Sequence, residues 1–159
     1  MIIKTLTKSY LQQHLNEILN IDHIRMGKVE NWTSRNFILD LPLKFQLSLT
    51  SISDKQVIGY IIASKKEKTC HIHRIAVSAQ YSDQGIGSKM ISVLGNKAKS
   101  KNLKKLSVEA LKKDNLKRFY LKNGFQPLNK KDQKVYSIQK DPKIRDLFLE
   151  KYSVFMKDL

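Results

Sequence analysis

The chain has 159 residues, enough for one domain with a sizeable core, and its 41% hydrophobic and 28% charged content excludes a disordered polypeptide. A lone cysteine, Cys70, excludes an intrachain disulfide framework; the longest apolar run, 57–63, is too short to span a bilayer, and no secretory stretch follows Met1, so the cytoplasm is the expected compartment. The net charge of +16 is lopsided: residues 1–64 carry 7 Lys and Arg against 5 Asp and Glu, residues 65–159 carry 23 against 9, so an anionic partner would meet the second half.

Ile2 to Leu6 reads as a short strand. Thr7 can cap a helix through about Asn20, with Leu11, Leu15, Ile18 and Leu19 on one face. Residues 21–35 read as broken helix and loop. Thr33 and Ser34 can cap a short helix through Phe37 and Leu39, stopped by Pro42. Phe45 to Ile52 alternates as FQLSLTSI, which predicts a half-buried strand. Ser53 to Lys55 is a turn and Val57 to Ser64 a buried strand, so 45–64 reads as a hairpin. Thr69 to Val77 is the next strand.

A helix follows over about 87–100, with Met90, Ile91, Leu94 and Ala98 on its buried face. LSVEA, within 103–110, is a strand. Asp114 and Asn115 then cap a helix carrying Leu116, Phe119 and Tyr120 and ending at Asn123-Gly124. KVYSIQ, 134–139, alternates like a strand. Asp141-Pro142 opens a last amphipathic helix over about 142–157, able to cover the sheet or to pair two subunits in a homodimer. Neither a repeat nor a low-complexity linker divides the chain. The order predicts a single α/β domain over 1–159: a mixed, mostly antiparallel sheet of about six to seven strands flanked by helices.

The organising stretch is His71 to Lys89, HIHRIAVSAQYSDQGIGSK. It reads as a strand, a polar turn, then two glycines opening a helix. Backbone amides at such a helix start hold phosphate, and glycine lets the chain approach an anion. No Gly-Lys-Ser/Thr follows, which excludes a P-loop, and there is no third glycine for a dinucleotide fingerprint.

The strand Ile72-His73-Arg74-Ile75-Ala76-Val77, the turn Gln84-Gly85-Ile86-Gly87-Ser88, and Phe119-Tyr120-Leu121-Lys122-Asn123-Gly124-Phe125 stand in a spacing that resembles the GCN5-related N-acetyltransferase superfamily. The resemblance is good over 57–128 and extends elsewhere only in element order. It implies the fold of that superfamily and acetyl-CoA as the acyl donor. The expected contacts to it are Ile75, Ala76 and Val77 along the pantetheine arm, Ser82, Asp83, Gln84, Gly85, Ile86, Gly87 and Ser88 around the pyrophosphate, and Asn115, Phe119 and Lys122 from the later helix. Two positions depart from the family pattern: Ser82 stands where a long Arg or Gln donor is usual, and Lys113 where the later helix often has Asn, so Asn115 is carried over in its place.

The resemblance implies direct attack of a primary amine on the thioester through a tetrahedral oxyanion, which a backbone amide near Val77 would stabilise. Tyr120 matches the family tyrosine and is the expected general acid; a phenol of pKa about 10 can protonate a thiolate whose conjugate acid is near 8.5. His71 falls where one branch of the family has its glutamate base, and it and His73 are expected to share a face with Ile75 and Val77. Glu109, on the neighbouring strand, is a second candidate base. Cys70 falls on the opposite face from His71, so it reads as packing. Trp32, Phe37 and Phe45 are either core or the acceptor wall.

The acceptor stays open among protein N-termini, lysines and small-molecule amines, with cationic polyamines and aminoglycosides disfavoured by charge. The basic second half also fits an RNA-directed acetyltransferase resembling aminoacyl-tRNA-acetylating toxins. The weakened Ser82 position fits a non-catalytic acyl-CoA-binding module.

Overall fold

The computed structural model describes residues 1–27 and 31–159. Residues 28–30, inside the expected broken stretch 21–35, lie outside it. Strand β1 (Ile2–Thr5) leads into α1 (Lys8–Gln13), capped by the Thr7 side chain, which accepts from the Tyr10 amide. The expected single helix breaks at His14, and α2 (Leu15–Met26) runs further than its apolar face suggested. Helix α3 (Ser34–Ile38) starts at the expected Thr33 cap.

The first correction falls at 45–52. Residues Lys44–Leu47 form a helical turn, α4, and strand β2 begins only at Leu49 and ends at Ser53. The apparent alternation there is accidental: Phe45 packs into one core and Leu47 into the other, whereas in a strand they would share a face. The buried Lys44 fixes the turn, its ammonium donating to the carbonyls of Phe37 and Leu39 at the end of α3.

Strands β3 (Gln56–Lys66) and β4 (Thr69–Val77) follow as read, joined antiparallel, and α5 (Ile86–Ser100) lies on the sheet through Met90, Ile91, Leu94 and Ala98. Strand β5 (Lys105–Leu111) and helix α6 (Asp114–Lys122) also match, although Lys113 precedes the helix and no side chain caps it.

Beyond the two-residue strand β6 (Gln126–Pro127), two expectations are overturned. KVYSIQ, 134–139, is not a strand: its first four residues end helix α7 (Lys130–Ser137), and Ile138 and Gln139 form the turn that follows. The buried positions of α7 are polar, Gln133 and Ser137, one helical turn apart, while Val135 is exposed. Gln133 docks the helix by donating to the Tyr152 carbonyl at 2.6 Å and accepting from the Val154 amide at 3.4 Å. The last helix, α8, spans only Pro142–Lys151, and Tyr152–Asp158 is strand β7. Val154 and Phe155 are adjacent and both buried, which suits a strand covered on both faces.

Among the described residues seven strands join one sheet in the order β1-β2-β3-β4-β5-β7-β6, and only the β4–β5 pair is parallel. One core lies between the sheet and α5 with α6; a second lies under α1, α2 and α3.

Candidate active site

The parallel pair β4–β5 opens partway along. Its rungs run from Thr69↔Lys105 to Ile72↔Val108, and among the described residues no later rung joins the two strands. Strand β4 continues to Val77 against β3, and β5 continues to Leu111 against β7. Ile75, Ala76 and Val77 therefore line one side of a split, and Glu109 is the first β5 residue past the last rung.

At the far end of β4 the chain makes a short 3₁₀ turn over Ala79–Tyr81 and enters α5. Gly85 stands at the helix start with φ 76°, a left-handed conformation that costs a residue with a side chain about 1–2 kcal/mol. The first amides of a 15-residue helix thus face outward with no capping side chain. Gly87 serves packing: a Cβ there would stand 3.2 Å from the Phe119 ring, so the glycine seats α6 against α5. The Ser82 hydroxyl is buried and finds no hydrogen-bond partner among the described residues. An orphaned donor beside unfilled helix amides suits an anionic group such as a pyrophosphate.

The remaining expected contacts are spread around this turn. Asp83 and Gln84 are exposed, Ser88 is half-buried in the first turn of α5, and the Ile86 side chain points into the core. Phe119 is half-buried against Gly87, while Asn115 and Lys122 are exposed at opposite ends of α6.

Tyr120 is buried, its ring stacked on Phe155 at 5.3 Å and edge-on to Phe125 at 5.5 Å. Phe155 pairs with Val108, so Tyr120 lies on the α5–α6 face of the sheet, and Glu109, the next residue of β5, projects from the other face. Tyr120 and Glu109 thus belong to opposite faces of the sheet at β5.

The histidines depart from expectation. A register shift between Ile62 and Ala63 leaves His73 as an extra residue in β4, which reverses the facing of everything after it. His71 pairs with Ser64 and shares its face with Arg74 and Ala76, not with Ile75 and Val77. Its Nδ1 lies 2.9 Å from the Ser107 hydroxyl, and the His73 Nε2 lies 2.7 Å from that of Ser64. Burial, with Lys66 next in weight, drives the His71 pKa down to about 2 and that of His73 to about 4. Cys70 does fall on the opposite face, in the core, where burial lifts its pKa to about 12, consistent with packing.

Glu109 is half-buried and receives two donors: the Tyr136 hydroxyl at 2.7 Å and the Lys140 ammonium at 2.6 Å. Neither donor carried a sequence signal, because α7 and the α7–α8 connection reach β5 only through the tertiary fold. Burial and the bond to Glu109 raise the Tyr136 pKa, and desolvation lowers that of the nearby Lys66.

A second polar cluster also went unread. Asp22 accepts two bonds from the Arg74 guanidinium, at 2.7 and 3.0 Å, and one from the Tyr60 hydroxyl. Arg74 lies 5.0 Å from the Trp32 ring centroid. Phe37 is fully buried edge-on to Trp32 and Tyr60, so it is core, whereas Trp32 lines a surface cleft with Leu19, His23 and Ser34.

A sequence profile for the acetyltransferase (GNAT) domain matches residues 49–127, the stretch that holds the split, the glycine turn and Tyr120. The chain belongs to the GCN5-related N-acetyltransferase superfamily. Solved structures of this superfamily agree over nearly its whole length. Ard1 from Thermoplasma volcanium superposes with a TM-score of 0.74 at 16% identity, covering 99% of this chain and 97% of that one. The ribosomal-protein-S18-alanine N-acetyltransferase of Escherichia coli gives 0.72 at 14% identity, over 99% and 92%. The PaiA N-acetyltransferase of Thermoplasma acidophilum, in complex with coenzyme A, gives 0.67 at 14% identity, over 99% and 98%. No curated protein sequence matches the chain. At these identities the structures establish the GNAT fold, with its mostly antiparallel sheet between helices.

Proposed function

We propose that this GNAT domain is an acetyl-CoA-dependent N-acetyltransferase acting on a primary amine, with Glu109 as general base and Tyr120 as general acid. The observation that carries the reading is the β4–β5 split, with Glu109 at its mouth and the glycine turn at the end of β4. The PaiA relative, whose structure holds coenzyme A, supports the choice of donor.

When bound, acetyl-CoA supplies an activated thioester. The amides at the start of α5 and the Ser82 hydroxyl are suited to its pyrophosphate, and the open edge of Ile75, Ala76 and Val77 to its amide-bearing arm. Glu109 takes the base role over His71 because burial leaves the His71 imidazole too weakly basic to hold a proton. In this reading Glu109, on one face of β5, takes the proton of the amine, and Tyr120, on the other, returns a proton to the leaving thiolate; their places on opposite faces of β5 support separate roles.

The test is release of coenzyme A thiol with a panel of peptide, lysine and small-molecule amines, comparing the native chain with Glu109→Gln. Turnover of at least one amine that Glu109→Gln loses supports the reading. Thiol release that ignores the substitution refutes the base assignment.

A further inference from the structure

Glu109 already carries an amine. Lys140, in the connection between α7 and α8, sets its ammonium 2.6 Å from the carboxylate, and the two side chains are 22% and 20% exposed. The same ammonium lies 4.8 Å from the Phe148 ring centroid and 5.8 Å from that of Tyr136. An ammonium held by a carboxylate and lying over two aromatic rings is the composition of an ammonium-binding site. The connection is fixed in place: Arg145 donates to the carbonyls of Ser137, Ile138 and Lys140 at 3.3 to 3.4 Å. The group in contact with the candidate base is therefore a lysine of the chain itself.

Resting on the acetyltransferase reading above, we propose that Lys140 is a modification site: the chain acetylates it in cis, and the loss of its charge frees Glu109 for external amines. Glu109 takes a proton from the ammonium, and the nitrogen lone pair forms a C–N bond to the acetyl carbonyl carbon. The C–S bond breaks and the thiolate leaves. Of the three ammonium protons, one stays on the amide nitrogen, one ends on the thiol and one passes through Glu109 to solvent. The neutral amide no longer forms an ion pair with the carboxylate.

The experiment incubates the full chain with acetyl-CoA and follows intact mass and peptide mapping. The expected result is stoichiometric acetylation of Lys140, with a rate constant unchanged on about tenfold dilution and lost in Glu109→Gln; Lys140→Arg removes the site. Acetylation of Lys140 no faster than of the exposed Lys131 and Lys134, or unaffected by Glu109→Gln, would overturn the proposal. So would an unmodified Lys140 in a chain that binds acetyl-CoA and turns over an external amine, an outcome that leaves the parent reading intact. Absence of acetyl-CoA binding by calorimetry removes both. An independent readout needs no acetyl-CoA: amide exchange across 130–151 should be faster in the acetyl-lysine mimic Lys140→Gln than in the native chain and in Lys140→Arg, and equal rates in all three would contradict the release step.

Discussion

Two carboxylates in this protein hold the same set of partners, a cation, a tyrosine and an aromatic face over the cation, yet they sit in different surroundings. Asp22 binds Arg74 and Tyr60 beneath α2, with Trp32 over the guanidinium, and is completely buried. Glu109 binds Lys140 and Tyr136 at the β4–β5 split, with Phe148 near the ammonium, and is half-buried. The closed cluster uses arginine, which keeps its charge and grips a carboxylate with two bonds. The open one uses lysine, which can lose a proton and be modified. A polar cluster sealed by α2 holds the fold together; one that stays within reach of solvent at the mouth of a split is available for chemistry.

The comparison breaks most sharply at its two carboxylates. Replacing Glu109 by Gln is expected to cut turnover by about 10²- to 10⁴-fold while folding stability, read by urea denaturation, moves by less than about 1 kcal/mol. Replacing Asp22 by Ala is expected to do the reverse: it removes the carboxylate that takes two bonds from the buried Arg74 guanidinium and costs about 3–5 kcal/mol, with the specific activity of the folded fraction retained.

The neighbouring histidines give a pH signature. Both have pKa values held below the unfolded value near 6.5, so between that pH and about 4 the unfolded chain binds protons that the folded chain refuses. Stability is fully present above pH 6.5 and falls as the pH drops. Urea midpoints at pH 7.5, 6 and 5 should decline, and His71→Gln should flatten the slope by up to about 1.4 kcal/mol per pH unit. A further local effect is expected at the glycine turn. Gly85→Ala, forced to a φ of 76°, is expected to cost about 1–2 kcal/mol in stability or in acetyl-CoA affinity, read by melting with and without the ligand.

How far these features could be read from sequence follows the reach of the forces that make them. Strand β4, the glycine turn and α5 were legible because local periodicity and Gly85 determine them within a few residues. Helix α7 was not, because its buried side chains are the polar Gln133 and Ser137 while Val135 is exposed, so no apolar helical face shows, and Gln133 finds its partners only when β7 arrives. Strand β7 was hidden by its continuity with α8; its place between β5 and β6 depends on long-range pairing. The site divides in the same way. Tyr120 and the turn carried a motif, whereas the facing of His71 hung on one extra residue in β4, and Lys140 reaches Glu109 from 31 residues away.

Calorimetric titration of the purified chain with acetyl-CoA tests the central claim most directly. The account predicts saturable one-to-one binding that Ser82→Ala weakens by about 0.5–1.5 kcal/mol, the net worth of one hydrogen bond. A flat titration, or binding that is indifferent to both Ser82 and Gly85, would contradict it.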